Sequence, residues 1–461
     1  MSVLWTSAEA VAATGGKSTV DWHAGGVSID TRTLQKGDLF VALTDVRDGH
    51  DFVAQALEKG AAAALVTRVP DGISSDAPLL IVDDVLQALG ALGVAARARI
   101  AGQVIGVTGS VGKTGTKEML RTALNGQYRV HAAEMSYNNH WGVPLTLARM
   151  PRDTEIAVIE IGMNHAGEIS PLAIMADLDV AVITTVAPVH LAAFSGVEEI
   201  AHAKAEIFDG LKAGGTAVLN ADIGTFQTLC DAARGFDARI VTFGGARGAD
   251  VQLTAAYVSD QSTKVVFDLA GQKVEFVLGA PGVHLAMNSL AVIAACDAVG
   301  ADLSQCLTNL TTWTTPIGRG KREDVVLTNG VSIELIDEGF NANPTSMAAA
   351  LDVLAQVHVN GRKVAILGDM LELGETEKAL HAGLADLPAL KAMDIIHLVG
   401  PLMKGLYAVL PEENRGLWIE TADVAAARIV DLLKPRDIVM VKGSKGSKVS
   451  KIVDAIRKTS A

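Results

Sequence analysis

The sequence predicts an α/β chain of three domains: a central parallel-sheet domain built around a phosphate-binding loop, a small α/β domain before it and a Rossmann-like α/β domain after it. Three observations carry this. At 461 residues the chain is about three times a common domain length. Short runs rich in Val, Ile and Ala alternate with helical stretches, the mark of parallel strands buried on both faces. One such run, in Gln103-Val-Ile-Gly-Val-Thr-Gly-Ser-Val-Gly-Lys-Thr-Gly-Thr-Lys-Glu118, passes directly into a glycine-flanked loop and a helix.

In order along the chain, 26–30 and 38–43 read as strands, a helix from Asp51 stops at Gly60, and 61–66 is the next strand. A helix over 84–100 ends at Ala101-Gly102, which closes the first domain at 1–101. The second, 102–316, holds the strand into the glycine loop and further buried strands at 155–161, 179–185 and 215–220, with a helix over 197–211. From 250 to 278 apolar and polar residues alternate, which predicts an antiparallel appendage. Pro316-Ile-Gly-Arg-Gly320 is a linker by composition. The third domain, 317–461, has strands at 331–336, 362–367, 394–399 and 437–441.

The glycine loop spans Thr108, Gly109, Ser110, Val111, Gly112, Lys113 and Thr114. Its two glycines let backbone N–H groups converge on an anion, Lys113 neutralises terminal phosphates, Thr114 offers a hydroxyl to Mg²⁺, and the helix adds its dipole. The longer general pattern wants glycine where Val107 stands, so the loop is the shorter Gly-x-x-Gly-Lys-Thr form. A bound nucleoside triphosphate is expected.

Composition narrows the partners. With 39 Lys and Arg against 52 Asp and Glu, the net charge is −13, which argues against a nucleic-acid-binding surface. Cys230, Cys296 and Cys306 are too few and scattered for a disulfide framework or a Cys-rich zinc site. The first nine residues lack a basic lead, and no segment approaches the roughly 18 to 20 apolar residues of a membrane span. A cytoplasmic protein is expected.

Other residues stand where chemistry collects. Glu160 closes a buried strand, at the carboxyl end where open sheets bind ligands, and is placed for Mg²⁺ or satisfied by its own turn. His190 ends the run from Ala181 and either reaches the same crevice or is structural. Lys204 lies at helical spacing from Ile200, Ile207, Phe208 and Leu211, so it faces inward, as a site residue or a snorkelling lysine. Asp337 opens a loop with Asn341, Asn343 and Ser346 that either caps the next helix through Thr345 or Ser346 or meets a ligand. Arg319 in the linker is within reach of a phosphate or simply solvated, and Gly443-Ser-Lys-Gly-Ser-Lys448 is a modest anion site at a helix start.

Together these segments resemble the Mur ligase family, the ATP-dependent amide-forming enzymes of peptidoglycan synthesis, along essentially the whole chain. Asp30-Thr-Arg32, Lys36-Gly-Asp-Leu-Phe40 and Asp48-Gly-His-Asp-Phe52 resemble its uridine-nucleotide-binding domain. The glycine loop, Asn138-Asn-His-Trp-Gly-Val-Pro144, Glu160, His190, Lys204 and His284-Leu-Ala-Met-Asn288 resemble its ATPase domain. Asp337-Glu-Gly-Phe-Asn-Ala-Asn-Pro344, Leu367-Gly-Asp-Met-Leu-Glu-Leu-Gly374 and Val441-Lys-Gly-Ser444 resemble its mobile closing domain. The second of these, with Glu160-Ile-Gly-Met-Asn-His165 and Ala203-Lys-Ala-Glu-Ile-Phe208, is similar to the branch that takes D-alanyl-D-alanine. The Asp-Asn-Pro-Arg signature of the diaminopimelate- or lysine-adding branch is absent.

The resemblance implies UDP-N-acetylmuramoyl-tripeptide, D-alanyl-D-alanine and ATP as substrates, a role in cell-wall synthesis, cell shape and division, and a monomer. It implies one Mg²⁺ on Thr114 and Glu160 and a second on His190 and a carbamylated Lys204, with Lys113 at the γ-phosphate. It further places Asn288 at adenine, Arg319 and Asp337 at the nucleotide on domain closure, and Ser28, Thr31, Arg32, Asn138, Asn139, Asn341 and Asn343 at the other substrates. An inward Lys204 agrees with carbamylation, which needs a neutral amine. Two departures from the family pattern, Val111 for a polar residue and Gly115 for Thr or Ser, bear on rate and helix stability more than on phosphate contact. A different amide ligase of the superfamily, such as folylpolyglutamate synthase, and a non-ligating nucleotide-binding protein share the loop, so the outer domains decide between them.

Overall fold

Parallel strands joined by crossover helices dominate the computed structural model, which describes residues 3–358 and 360–458; the first two residues of the amino-terminal stretch read above lie outside it. The chain opens with β1 (Trp5–Thr6), α1 (Ser7–Thr14), β2 (Lys17–Ser18) and β3 (His23–Ala24). Thr6 and Glu9 start α1 as a reciprocal capping box, and Gly15 ends it in the left-handed conformation. Then come β4 (Gly26–Ser28), β5 (Asp38–Val41), α2 (Val53–Glu58), β6 (Ala63–Val66), β7 (Leu79–Ile81) and α3 (Val85–Ala98). The sheet order is β2-β7-β6-β5-β4, parallel except for β2 at the edge, while β1 and β3 form a separate antiparallel pair.

The central sheet uses β8 (Gln103–Thr108), β9 (Val130–Ala132), β10 (Ile156–Glu160), β11 (Leu178–Ile183), β12 (Leu211–Asn220), β13 (Arg239–Gly244), β14 (Val251–Val258), β15 (Thr263–Leu269) and β16 (Gln272–Leu278). Its order is β16-β15-β14-β13-β12-β11-β8-β10-β9. The strands from β9 to β14 are parallel and β14-β15-β16 antiparallel, as the alternating pattern predicts. The chain leaves β8 toward β10 and returns toward β11, so β8 marks the point where strand order reverses. Ligands bind outside the carboxyl end of such a strand. Its helices are α4 (Lys113–Ala123), α5 (Gly142–Ala148), α6 (Ile169–Ala176), α7 (Val197–Ala205), α8 (Phe226–Arg234), α9 (Val283–Ala298) and α10 (Leu303–Leu310).

The third sheet joins β17 (Lys321–Val326), β18 (Ser332–Glu338), β19 (Lys363–Gly368), β20 (Ile395–Val399), β21 (Arg415–Ile419) and β22 (Ile438–Lys442) in the order β17-β18-β22-β19-β20-β21, with only β17 antiparallel. Helix α11 (Pro344–Gln356) follows β18. Separate apolar cores cover its two faces, one with Leu351, Leu367 and Leu398, the other with Ile366, Val439 and Ile452.

The predicted helix over 197–211 is shorter than expected. It stops at Ala205, continues as a 3₁₀ turn over Glu206–Gly210, and Leu211 already begins β12. Gly210 sets the break: a side chain there would meet the Ala173 carbonyl group at 2.0 Å, so the turn packs against α6 only without one. The predicted linker arginine also sits tighter than expected, since Gly318 and Gly320 take positive φ and the chain enters β17 one residue after Gly320.

Candidate active site

The glycine loop lies where β8 runs into α4. Gly109 has φ 149°, and a β-carbon there would be 2.0 Å from Thr184 Oγ1, so only glycine brings the loop against β11. Thr184 donates its hydroxyl to the Val111 carbonyl at 2.6 Å, which makes position 111 a backbone contact and accounts for the tolerance of valine. Ser110 fixes the other flank, accepting from Ala187 N at 2.9 Å. Thr108, fully buried, ends β8. Lys113 Nζ folds back onto the Gly109 carbonyl at 2.7 Å, the pose of a lysine curled over an anion cradle.

Thr114 and Glu160 meet. The Thr114 hydroxyl is 3.1 and 3.0 Å from the two Glu160 carboxylate oxygens, bringing the start of α4 and the end of β10 to one point. Asn138 donates to Glu160 Oε1 at 2.7 Å, so among the asparagines carried over for substrate this one aims the carboxylate. Asn139 accepts from Gly142 N at 2.9 Å and starts α5. Ser136, which carried no signal in the sequence, lies 3.0 Å from Thr114 Oγ1 and accepts from Arg319 Nη2 at 3.2 Å. Its loop is pinned from below by the buried Lys117, which donates to the Ala133 and Met135 carbonyls. The linker arginine thus reaches the phosphate loop through one hydroxyl, while its guanidinium stacks 4.4 Å over the Phe340 ring.

Lys204 is 2% exposed, and its side-chain amine has no hydrogen bond or ion pair among the described residues. Burial drives its amine well below the ordinary lysine range, and the charge of Lys113 pushes the same way. Lys113 is lowered by burial against the pull of Glu160. His190 is lowered by burial, with Glu372 opposing and Lys113 and Lys204 adding to it. The two lysines and the histidine therefore feel one another's charge, on the side of the loop facing β11.

Asn288, on α9, packs against the loop: a β-carbon on Gly112 would lie 2.9 Å from its amide nitrogen. The remaining candidates stand apart. Asp337 is buried with one oxygen held by Gly339 N at 3.1 Å and the other by Arg457 at 2.8 Å. Asn343, rather than Thr345 or Ser346, caps α11, its side chain accepting from Ser346 N. Asn341 bonds the adjacent Ala342 N. The Gly443–Lys448 motif does not open a helix directly, because a 3₁₀ turn at Lys445–Ser447 intervenes before the helix at Ser450. Ser28, Thr31 and Arg32 gather at the carboxyl end of β4, where Thr31 bonds Gln55 at 2.8 Å and the exposed Arg32 pairs with Asp30.

Among the described residues no three His, Cys, Asp or Glu side chains form a metal cage. The donors at the loop nevertheless suit Mg²⁺, which binds through one or two carboxylates plus phosphate oxygens and waters. A hydroxyl and a carboxylate already converge beside an anion cradle, and the amine of the buried Lys204, with no partner among the described residues, lies near the His190 imidazole.

Three family models match the chain: the Mur ligase family catalytic domain over residues 23–98, the Mur ligase middle domain over 107–296, and the Mur ligase glutamate ligase domain over 321–445. A UDP-N-acetylmuramoyl-tripeptide–D-alanyl-D-alanine ligase of Bacillus subtilis is 35% identical over 93% of this chain and 92% of its own. MurF from Acinetobacter baumannii is 29% identical with a TM-score of 0.83, covering 98% of this chain and 99% of that one. The MurF ligase of Thermotoga maritima, solved in complex with ADP, is 25% identical with a TM-score of 0.77 over 94% of this chain and 97% of its own.

Proposed function

This chain belongs to the Mur ligase family, and on that premise we propose that it uses ATP to join D-alanyl-D-alanine to UDP-N-acetylmuramoyl-tripeptide in peptidoglycan precursor synthesis. The observation that carries the reading is the convergence of Lys113, the Thr114–Glu160 pair and the buried Lys204 at the carboxyl end of β8.

A carboxylate and an amine do not condense in water. Phosphorylation of the carboxylate by ATP gives an acyl phosphate, and the incoming amine displaces phosphate from its carbonyl. Loop N–H groups and Lys113 hold the triphosphate and neutralise charge on the transferring group, which is most of what phosphoryl transfer asks of a protein. Thr114 and Glu160 would hold one Mg²⁺, His190 and a carbamylated Lys204 a second, supplying charge neutralisation at the phosphates and the carboxylate. Carbamylation suits Lys204 because its amine is buried and biased to the neutral form. Asn138 and Ser136 orient Glu160 and Thr114. Arg319 and the third α/β unit close on the nucleotide and exclude the water that would hydrolyse the acyl phosphate.

In this reading residues 1–101 bind the uridine nucleotide through Ser28, Thr31 and Arg32, 102–316 bind ATP with Asn288 at adenine, and 317–461 take the dipeptide, with Asn139, Asn341 and Asn343 as substrate contacts and Asp337 near the nucleotide. The enzyme works as a cytoplasmic monomer, where ATP and the uridine-linked precursor are made. Among the described residues no helix is long and apolar enough to cross a membrane. Phosphate release from ATP in the presence of UDP-N-acetylmuramoyl-tripeptide tests the reading. It is expected to depend on D-alanyl-D-alanine, and release indifferent to the dipeptide would sink it.

A further inference from the structure

Glu372 belongs to the third α/β unit, yet among the described residues its carboxylate has one partner, His190 of the central unit, at 2.7 Å from Nδ1. The contact is part of a seated loop. The Glu372 carbonyl accepts from Ala192 N at 3.4 Å, and a β-carbon on Gly374 would meet the Leu191 carbonyl oxygen at 3.1 Å. His190 and Glu372 both take left-handed backbone, φ 54° and 67°, a conformation non-glycine residues hold only where surroundings require it.

We propose that Glu372 is a positioning residue for His190, supplied across the cleft by the closing unit. This rests on the ligase reading above. A carboxylate only accepts, so the shared proton sits on Nδ1 and Nε2 is left with its lone pair. The neutral ring is thereby fixed in one tautomer, and it lies close enough to Lys113 and Lys204 to feel their charges. An outer carboxylate that orients a metal-binding imidazole is worth far more to the metal than to stability, because an ion pair this exposed adds little to folding. The arrangement makes the His190 donor complete only when the third unit is docked, so the divalent-cation site is assembled by closure.

The test is Mn²⁺ binding, followed by its electron paramagnetic resonance signal in the presence of a saturating β,γ-imido analogue of ATP, on the full chain and on Glu372→Ala and Glu372→Gln. Glu372→Ala is expected to weaken Mn²⁺ binding about 10- to 100-fold with metal-free affinity for the analogue unchanged. Glu372→Gln is expected to keep most of the affinity, since its amide oxygen still accepts from Nδ1–H. Unchanged Mn²⁺ binding in Glu372→Ala overturns the proposal. So does an equal loss in Glu372→Gln, which would make the effect one of charge, or a parallel loss of analogue and metal, which would make the contact mere docking. Dipeptide-dependent phosphate release by the unmodified chain tests the ligase reading separately.

Discussion

At Lys204 the fold buries an amine near a second one, Lys113, and gives it no hydrogen-bond partner among the described residues. In the carbamate reading the side chain changes sign and becomes a metal ligand. Lys204→Ala is then expected to lose most turnover and regain part of it when short carboxylates are added; full activity without them would exclude the carbamate. Stability gives an independent check. The folded amine titrates below its unfolded value of about 10.4, so between those two values the unfolded chain binds more protons and stability rises with pH. The burden of burying Lys204 is therefore greatest at low pH and fades toward pH 10. Lys204→Met, of similar volume, is expected to be more stable than the parent near neutral pH in carbonate-free buffer, with the gain shrinking as pH rises. A gain independent of pH, in paired denaturation curves, would contradict it. The inward aspect of Lys204 was readable because helical spacing alone set it beside Ile200 and Phe208. The roles of Ser136 and of Glu372, though the latter sits in the 367–374 motif, were not readable, since each acts on a group far off in sequence, Arg319 and His190, that only the tertiary fold brings near.

Elements were legible where burial wrote them as continuous apolar runs, as in β8, β10, β11 and β19. The charged edge strand β17, Lys-Arg-Glu-Asp-Val-Val, was missed because its pairing with β18 is a matter of backbone and not of composition. The extent of α7 was overestimated for a related reason: the apolar spacing continues past Ala205, but the close approach of Gly210 to Ala173 ends the helix. Changes at two positions probe helix starts. A β-carbon on Gly115, in the first turn of α4, meets nothing within 4 Å, and glycine inside a helix costs roughly 0.5–1 kcal/mol relative to alanine. Gly115→Ala is accordingly expected to gain about that much in chemical denaturation. At α11, Asn343→Ala is expected to cost about 1 kcal/mol through loss of the cap, while Asn343→Asp, an equally good cap, retains stability. If Asn343→Asp also raises the KM for the dipeptide, the residue has a substrate contact beyond its cap.

Across the whole molecule the three α/β units are not equally independent. One apolar core runs from Leu4, Trp5 and Trp22 through Leu89 and Leu92 of α3 to Val143, Leu147, Leu172 and Phe208 of the central unit. Polar contacts cross the same seam: Trp5 Nε1 donates to the Ala148 carbonyl at 2.9 Å, and Arg149 donates to the Val27 carbonyl at 2.6 Å. Arg99 lies 4.2 Å over the Trp5 ring and reaches the Leu4 and Met150 carbonyls. The third unit has cores of its own and meets the centre mainly through polar, partly exposed contacts, His190–Glu372, Arg319–Ser136 and Asp260 with Arg322 and His358, with Val353 of α11 close to Gly282 beside them. A continuous core makes two units unfold together, whereas sparse polar contacts leave a unit free to move and to melt alone. Calorimetry is therefore expected to show two transitions, one for the first two units jointly and one for the third. Trp5→Ala removes the side chain that fills the seam, at a cost of about 3–5 kcal/mol, and is expected to lower the joint transition while leaving the other in place. Should the amino-terminal unit instead melt by itself in this variant and in the parent, the shared core would not be coupling them, and the moving part of the enzyme would have to be sought at both ends of the central sheet.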